Sequence, residues 1–351
     1  MRVLIKRLDA STKYYVTPKR QNNLRPWSAR RLAVKLRTLC PPAAGSSGPV
    51  IPLDKLAALD LTIWLGSGDQ AALRLQISQS NVSRRLNSVL KQLDLKLLRH
   101  EQEWQLRGPA ERLDLLGLER QVHQMARWQD LAPRRLEGTY WSGPLLATPE
   151  PDGWIGGTHC IVGVQRPLLL LRQRLIDGWI GAGPDWPAPD DPDLAVLMLC
   201  RLPVHLVVAP DHPLARRMQA GAALCWDDVA AYPSLALPPG AYPHVEVALR
   251  RLGLWNTPMR MNRYRRERWE GRTEAELQVG YATVLSEQIA GRLVRLPLAL
   301  PFSSGEALVV HRQWVDHPHT RSLWRLLLQR LQPWAAQHPE LELCPCPWSH
   351  G

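Results

Sequence analysis

The sequence predicts an α/β protein in which a small helical head precedes a larger sheet-containing body, and three observations lead there. Over residues 136–335, apolar runs such as His205-Leu206-Val207-Val208 alternate with helical segments such as Val245 to Leu252, the pattern of a parallel, helix-covered sheet. Ahead of them, residues 53–93 carry apolar positions at helical spacing broken by tight turns. Finally, 351 residues of which 45% are hydrophobic suffice for two or three domains with cores of their own.

The charge is uneven. The net charge is +12, and residues 1–50 hold eleven Lys or Arg against the single acid Asp9, so ten of those twelve charges lie there. They are followed by PPAAGSSGPV, residues 41–50, a Pro/Gly/Ser linker. We read residues 1–50 as a basic, disordered N-terminal extension, with a non-specific DNA-binding arm as the alternative. The segment lacks the continuous apolar stretch of a signal peptide, and no later run is apolar and long enough to span a bilayer. A soluble, cytoplasmic protein is expected. The six cysteines, at 40, 160, 200, 225, 344 and 346, lack paired metal-site spacing, so free thiols are expected. Tryptophan occurs fifteen times and phenylalanine once, a bias that composition alone does not explain.

From Leu53 the apolar positions Leu56, Leu59, Ile63 and Trp64 define a first helix, which stops at Gly66-Ser67-Gly68. A short helix follows over Gln70 to Leu75, then a turn at Gln76-Ile77-Ser78. In the next segment Val82, Leu86, Val89, Leu90 and Leu93 fall on one stripe, so three helices share one small core. With Val82 and Leu86 inward, Gln79, Ser80, Ser83 and Arg84 lie on the outer side of the first turns, with Arg85 beside them and Ser78 as the N-cap. A helix tip of that chemistry can meet phosphates through its free N–H groups and base edges through Gln and Arg. A solvated face is the alternative for this helix taken alone.

Leu97 to His100 and Trp104 to Leu106 read as two short strands joined by Glu101-Gln102-Glu103, a wing. Pro109 suits the first turn of a further helix carrying Leu113, Leu116, Val122 and Met125 up to about Trp128. That stripe has little core of its own, so it is expected to pack on a copy of itself, or else on a neighbouring domain.

The stretch GSGDQAALRLQISQSNVSRRLNSVLKQLD, Gly66 to Asp94, resembles the helix-turn-helix signature of the LysR-type transcriptional regulators. The resemblance implies that the helix from Ser78 to Leu93 lies in the major groove of double-stranded DNA. The DNA-contacting set is then Ser78, Gln79, Ser80, Ser83, Arg84 and Arg85, with Arg99 from the wing. Family wings are usually basic, and here Glu101 and Glu103 depart from that pattern. Downstream, RLIDGWIGAGP from Arg174, LVVAPDHPLA from Leu206, CWDDVAAYPSLAL, LQVGYATVLSEQIAGRLVRLP and ALVVHR follow in the family's order, with a returning helix at Ser322 to Leu331. They imply a two-lobed effector-binding domain similar to periplasmic solute-binding proteins.

The implied organisation is a winged helix-turn-helix over 51–108, a dimerising linker helix over 109–135, the two-lobed domain over 136–335 with its second lobe at about 207–303, and a tail over 336–351. Between Gly138 and Val164 the family's full helix is stunted, so the first lobe is shortened. Partners implied are DNA, a second copy (a homodimer, with a tetramer as an extension) and a small-molecule effector, but no membrane. Ser142, Thr148, Leu237 and Pro238 are the implied cleft residues.

Other constellations carry little. Gly181-Ala182-Gly183 runs into a proline and cannot open a dinucleotide-binding helix. His317 and His319 in DHPHT, even with Cys344 and Cys346, read as surface residues of a Pro-broken loop, so no metal and no cofactor is expected. No GxSxG, HExxH or P-loop occurs, and no catalytic residue is assigned. Two alternatives remain: a small-molecule-binding protein with a vestigial head, and a regulator that no longer senses an effector.

Overall fold

The computed structural model describes residues 51–100 and 103–348. The basic extension, the 41–50 linker, Cys40 and Glu101 lie outside the described residues.

The head begins with α1 (Leu53–Leu65), α2 (Gly68–Leu75) and α3 (Gln79–Leu93). Leu56, Leu59, Ile63 and Trp64 from α1 and Val82, Val89 and Leu93 from α3 are buried together, as their spacing predicts. Each end has a local cause. Gly66 takes a left-handed φ of 73° that ends α1, and a Cβ there would stand 2.6 Å from Arg263 Nη2, so glycine alone fits. Ser67 caps α2 by accepting from the N–H groups of Asp69 and Gln70, which starts the helix two residues before its expected beginning. Ser78 caps α3 by accepting from Asn81 N–H at 3.3 Å. The hairpin of β1 (Lys96–His100) and β2 (Glu103–Arg107) pairs antiparallel, with Lys96 opposite Arg107 and His100 opposite Glu103.

The linker helix α4 (Ala110–Trp128) leads into β3 (Arg134–Gly138), α5 (Gly143–Leu146), β4 (Trp154–Gly156), α6 (Gln165–Arg172), β5 (Gly178–Ala182) and β6 (Leu194–Val208). Then come α7 (Pro213–Gln219), α8 (Trp226–Ala230), β7 (Leu235–Ala236), α9 (Pro243–Arg251), β8 (Thr257–Pro258), α10 (Glu270–Ala275), β9 (Gly280–Ala282), β10 (Val294–His311), α11 (Pro318–Gln337) and β11 (Glu342–Leu343). The main sheet runs β11-β6-β10-β5-β3-β4, with β9 also on β6. The expected parallel sheet is corrected to a mixed one. β3 pairs parallel with β4 and β5, whereas β10 runs antiparallel to both β5 and β6.

The reason lies in β6 and β10, long strands that cross from one half of the body to the other, with register shifts at Arg295/Ala299, Ala299/Ser303 and Glu306/Ala307. Where the sequence predicts a stunted helix, α5 has four residues. Cys160, Cys200, Cys225, Cys344 and Cys346 are free thiols. Among the described residues no helix is long and apolar enough to cross a membrane.

The linker helix has two unlike faces. Leu118, Val122 and Met125 are exposed, at spacings of four and three. Leu116 and Trp128 point inward, and Trp128 stacks on Trp314 at 4.9 Å and meets Trp154 edge-on at 5.8 Å. So the predicted stripe divides. Beside those inward residues lie buried polar groups. Arg127 holds Asp177 with two hydrogen bonds, Nε to Oδ2 at 2.7 Å and Nη2 to Oδ1 at 2.9 Å, while Gln124 Nε2 donates to Oδ1 and the Arg135 N–H to Oδ2. Two helical turns earlier, Arg120 grips Asp60 of α1 at 2.8 Å, and Arg135 Nη1 stands 3.7 Å from the same carboxylate. Burial lowers the Arg135 pKa to about 10, against the support of these carboxylates.

Removing one partner from such a pair strands a buried charge, while replacing both with apolar residues does not. Asp177→Ala is therefore expected to cost about 3–5 kcal/mol of unfolding free energy in urea. The double change Arg127→Met with Asp177→Leu should cost clearly less than the single one.

Candidate functional site

Two features stand out, and a seam joins them. The first is the tip of α3. Ser78, Gln79, Ser80 and Arg84 are exposed, and Ser83 is half-buried. Gln79 Nε2 donates to Ser83 Oγ at 3.2 Å, and Ser78 Oγ lies 3.0 Å from Ser80 Oγ. Arg85 is turned toward α1 and pairs with Asp54 at 3.4 Å. Arg99, on the hairpin, is exposed over the Trp104 ring at 5.5 Å. The tip thus presents hydroxyls, one amide and one guanidinium to solvent, on a helix whose opposite side is fixed in the head's core.

The second feature is an aromatic cleft between the two halves of the body, with a cavity of about 100 Å³. Tyr140 and Trp141 come from the loop after β3, and Phe302 from β10. Tyr242, Trp255, Trp269 and Tyr281 close it from the other half. The chain's one phenylalanine stands here, and three of its tryptophans. Others, Trp128, Trp154, Trp314, Trp324 and Trp348, pack where the linker and α11 meet the sheet. Eight of the fifteen tryptophans thus stand in a wall and a packing seam.

Behind the wall lie two carboxyl groups. Glu306, 1% exposed, accepts from Trp141 Nε1 and from Ser142 Oγ, each at 2.7 Å, and burial pushes its pKa up to about 8. Glu270 is raised to about 7, again by burial, and accepts from the Tyr264 hydroxyl. Tyr264 in turn stacks on Tyr140, with ring centroids 3.8 Å apart.

The seam is where the head rests on the body. Trp64 Nε1 donates to Glu137 Oε2 at 2.8 Å, wholly buried, and Gly157 leaves the room that this carboxylate needs, since a Cβ there would lie 2.3 Å from Oε2. Arg166 of α6 donates to Ile63 O at 3.0 Å and pairs with Glu103 of the wing at 3.1 Å, and Arg263 approaches the same Glu103 at 3.5 Å. Arg74 donates to Gly156 O at 3.2 Å. The acidity of Glu103, unsuited to a phosphate contact, has a partner in these two arginines.

Residues 161–332 match the family model described as the LysR substrate binding domain. This stretch of the chain is a substrate-binding domain of the LysR type. A full-length OxyR variant from Pseudomonas aeruginosa is similar in structure, with a TM-score of 0.50 at 16% identity over 81% of this chain and 96% of that one. ArgP from Mycobacterium tuberculosis gives 0.47 at 19% identity, over 82% and 97%. Full-length CbnR, solved in complex with its target DNA, gives 0.45 at 16%, over 80% and 99%. At these identities the likeness concerns fold alone. No curated protein matches the chain.

In this LysR-type body the four cleft residues named from sequence scatter. Leu237 lines the cavity. Ser142 is buried and spends its hydroxyl on Glu306, while Thr148 is exposed away from the cleft, and Pro238 accepts from Ala241 N–H without joining the wall. The aromatic residues went unnamed because they come from widely separated segments with no common spacing. His317 is the N-cap of α11, and His319 Nε2 lies 2.9 Å from Asp130; among the described residues no cluster suits a metal ion.

A carboxyl whose folded pKa lies above its unfolded value stabilises below the unfolded value and loses that contribution as pH rises through the folded one. For Glu306 the window runs from the ordinary carboxylate range to about 8. Glu306→Gln is accordingly expected to match or trail the parent near pH 4.5 and to gain on it steadily toward pH 8, read as the difference in Tm across a pH series.

Proposed function

We propose that this chain is a transcriptional regulator whose N-terminal head, a winged helix-turn-helix, reads double-stranded DNA with the tip of α3, and whose body senses a small molecule in the aromatic cleft. The observation that carries the DNA-reading role is the exposed tip itself. Gln79, Ser80 and Arg84 face solvent at the capped start of a helix held rigidly from behind. In that position amide N–H groups and Ser78 suit phosphate oxygens, Gln79 suits an adenine edge, and Arg84, which has no partner among the described residues, suits a guanine edge or a phosphate. Arg85, paired with Asp54, is better placed to steady α3 than to reach a base. Arg99 supplies charge from the hairpin.

The wing plays an unusual part in this reading. Its Glu103 belongs to the contact with Arg166 and Arg263, so the hairpin anchors the head to the sensor, and α3 carries recognition. The exposed Leu118, Val122 and Met125 support a homodimer through α4, because an a/d-like stripe left open on a well-anchored helix is covered most simply by its own copy. Two heads then address two half-sites. An effector acts only through differential affinity for two arrangements of those heads, and a bias of a few kcal/mol is enough to reverse their populations.

Footprinting on genomic fragments tests the reading. Arg84→Ala should weaken binding to all sites, and Gln79→Ala should relax preference at one base pair by about 1–3 kcal/mol. A Gln79→Ala protein whose sequence logo matched the parent's would remove Gln79 from base recognition, and no specific complex at moderate salt would favour a sensor with a vestigial head.

A further inference from the structure

We propose that the cleft takes an uncharged, flat, largely apolar molecule, of the size of one or two aromatic rings, and excludes carboxylates. The proposal rests on the sensing role given to the cleft above and narrows it to a ligand class. Its first support is what the wall lacks. Among the described residues no lysine, arginine, histidine, aspartate or glutamate lines the cavity, and seven of its lining residues are aromatic. An anion entering it would give up water and meet no counter-charge.

The second support is how the wall's polar groups are already used. Ser286 Oγ donates to Thr283 O at 3.1 Å and Ser304 Oγ to Gly183 O at 3.0 Å, so the serine protons that could hold a carboxylate are committed. What remains suits a neutral acceptor. Tyr281 Oη receives the Trp255 backbone N–H at 3.3 Å and is engaged with the Ser234 hydroxyl as well, so it holds the wall in place. The buried indole N–H of Trp255 has no acceptor among the described residues. A carbonyl or ring nitrogen on a planar ligand matches that indole donor.

The third support is the sign of the surroundings. Two carboxyl groups stand behind the wall, Glu306 behind Trp141 and Glu270 behind Tyr264 and Tyr140, and neither offers an anion a positive charge. A cation would find ring faces, but each oxygen of Glu306 already accepts from Trp141 or Ser142.

The test titrates the full chain with uncharged one- and two-ring aromatics, each beside its carboxylate and ammonium counterpart, of which benzamide, benzoate and benzylammonium are the smallest set. Tryptophan fluorescence and thermal shift are read together, in the parent and in two cleft-filling variants, Ala282→Phe and Val204→Trp, so that one misfolded variant does not decide the matter. Saturable binding of an uncharged probe, at least tenfold tighter than either charged counterpart and lost in the folded variants, is the expected result. A carboxylate or ammonium probe that binds as tightly and is lost in the same variants would overturn the ligand class and leave the sensing role standing. Silence from every probe, or uncharged binding undiminished by the variants, would overturn the ligand class together with sensing at the cleft. Gel shifts on the same preparation report DNA binding separately, whatever the titrations give.

Discussion

The buried charges along α4 are the constraint on which the rest depends. Three arginines and two aspartates, Arg120, Arg127, Arg135, Asp60 and Asp177, are at most 5% exposed. Taking them out of water is costly, so their net worth as a source of stability is small compared with apolar packing. What they supply is geometry. Asp60 belongs to the head, Arg120 and Arg127 to the linker, and Arg135 and Asp177 to the sheet-bearing body. Each element is therefore held in the one arrangement that leaves no charge unpaired. With Trp128 rooted in the body's core, the linker helix cannot turn about its axis without separating those pairs.

Because the linker is held, the head's contact with the body becomes informative. Glu137, which binds Trp64, stands three residues before the cleft's Tyr140, and Arg263, which meets the wing, precedes Tyr264, whose ring lies on Tyr140. The head thus rests on residues adjacent in sequence to those that form the cleft wall. A movement of Tyr140 against Tyr264 would also move the two supports of the head relative to one another. That adjacency gives a short mechanical route between the cleft wall and the tip of α3 without requiring a change in the core of either half.

The head was the most legible part of the sequence. Its helices announce themselves by local period, and Ser78, Gln79, Ser80 and Arg84 follow from where Val82 and Leu86 must point. The brevity of α5 was legible as missing length between Gly138 and Val164. The sheet departs from the expected one because short apolar runs such as His205 to Val208 look like separate strands, while β6 and β10 each continue through several of them and β10 runs against its neighbours β5 and β6. The ionic spine was illegible for a related reason. Glu119, Arg120, His123, Gln124 and Arg127 look like the solvated side of a helix, and only tertiary partners make that side an inner one. The cleft eluded the sequence because its rings meet only after folding.

Hydrogen exchange under native conditions measures the central claim most directly, since it asks whether head, linker and body open together. If the ionic spine and the Trp64–Glu137 seam hold them as one, amides of the α1 end and of the hairpin will exchange as slowly as those of β3 and β5. Arg127→Ala should accelerate the two sets together. Fast exchange of the head and of α4 while β3 and β5 stay protected would contradict the account, because it would describe a head tethered to the sensor rather than held by it.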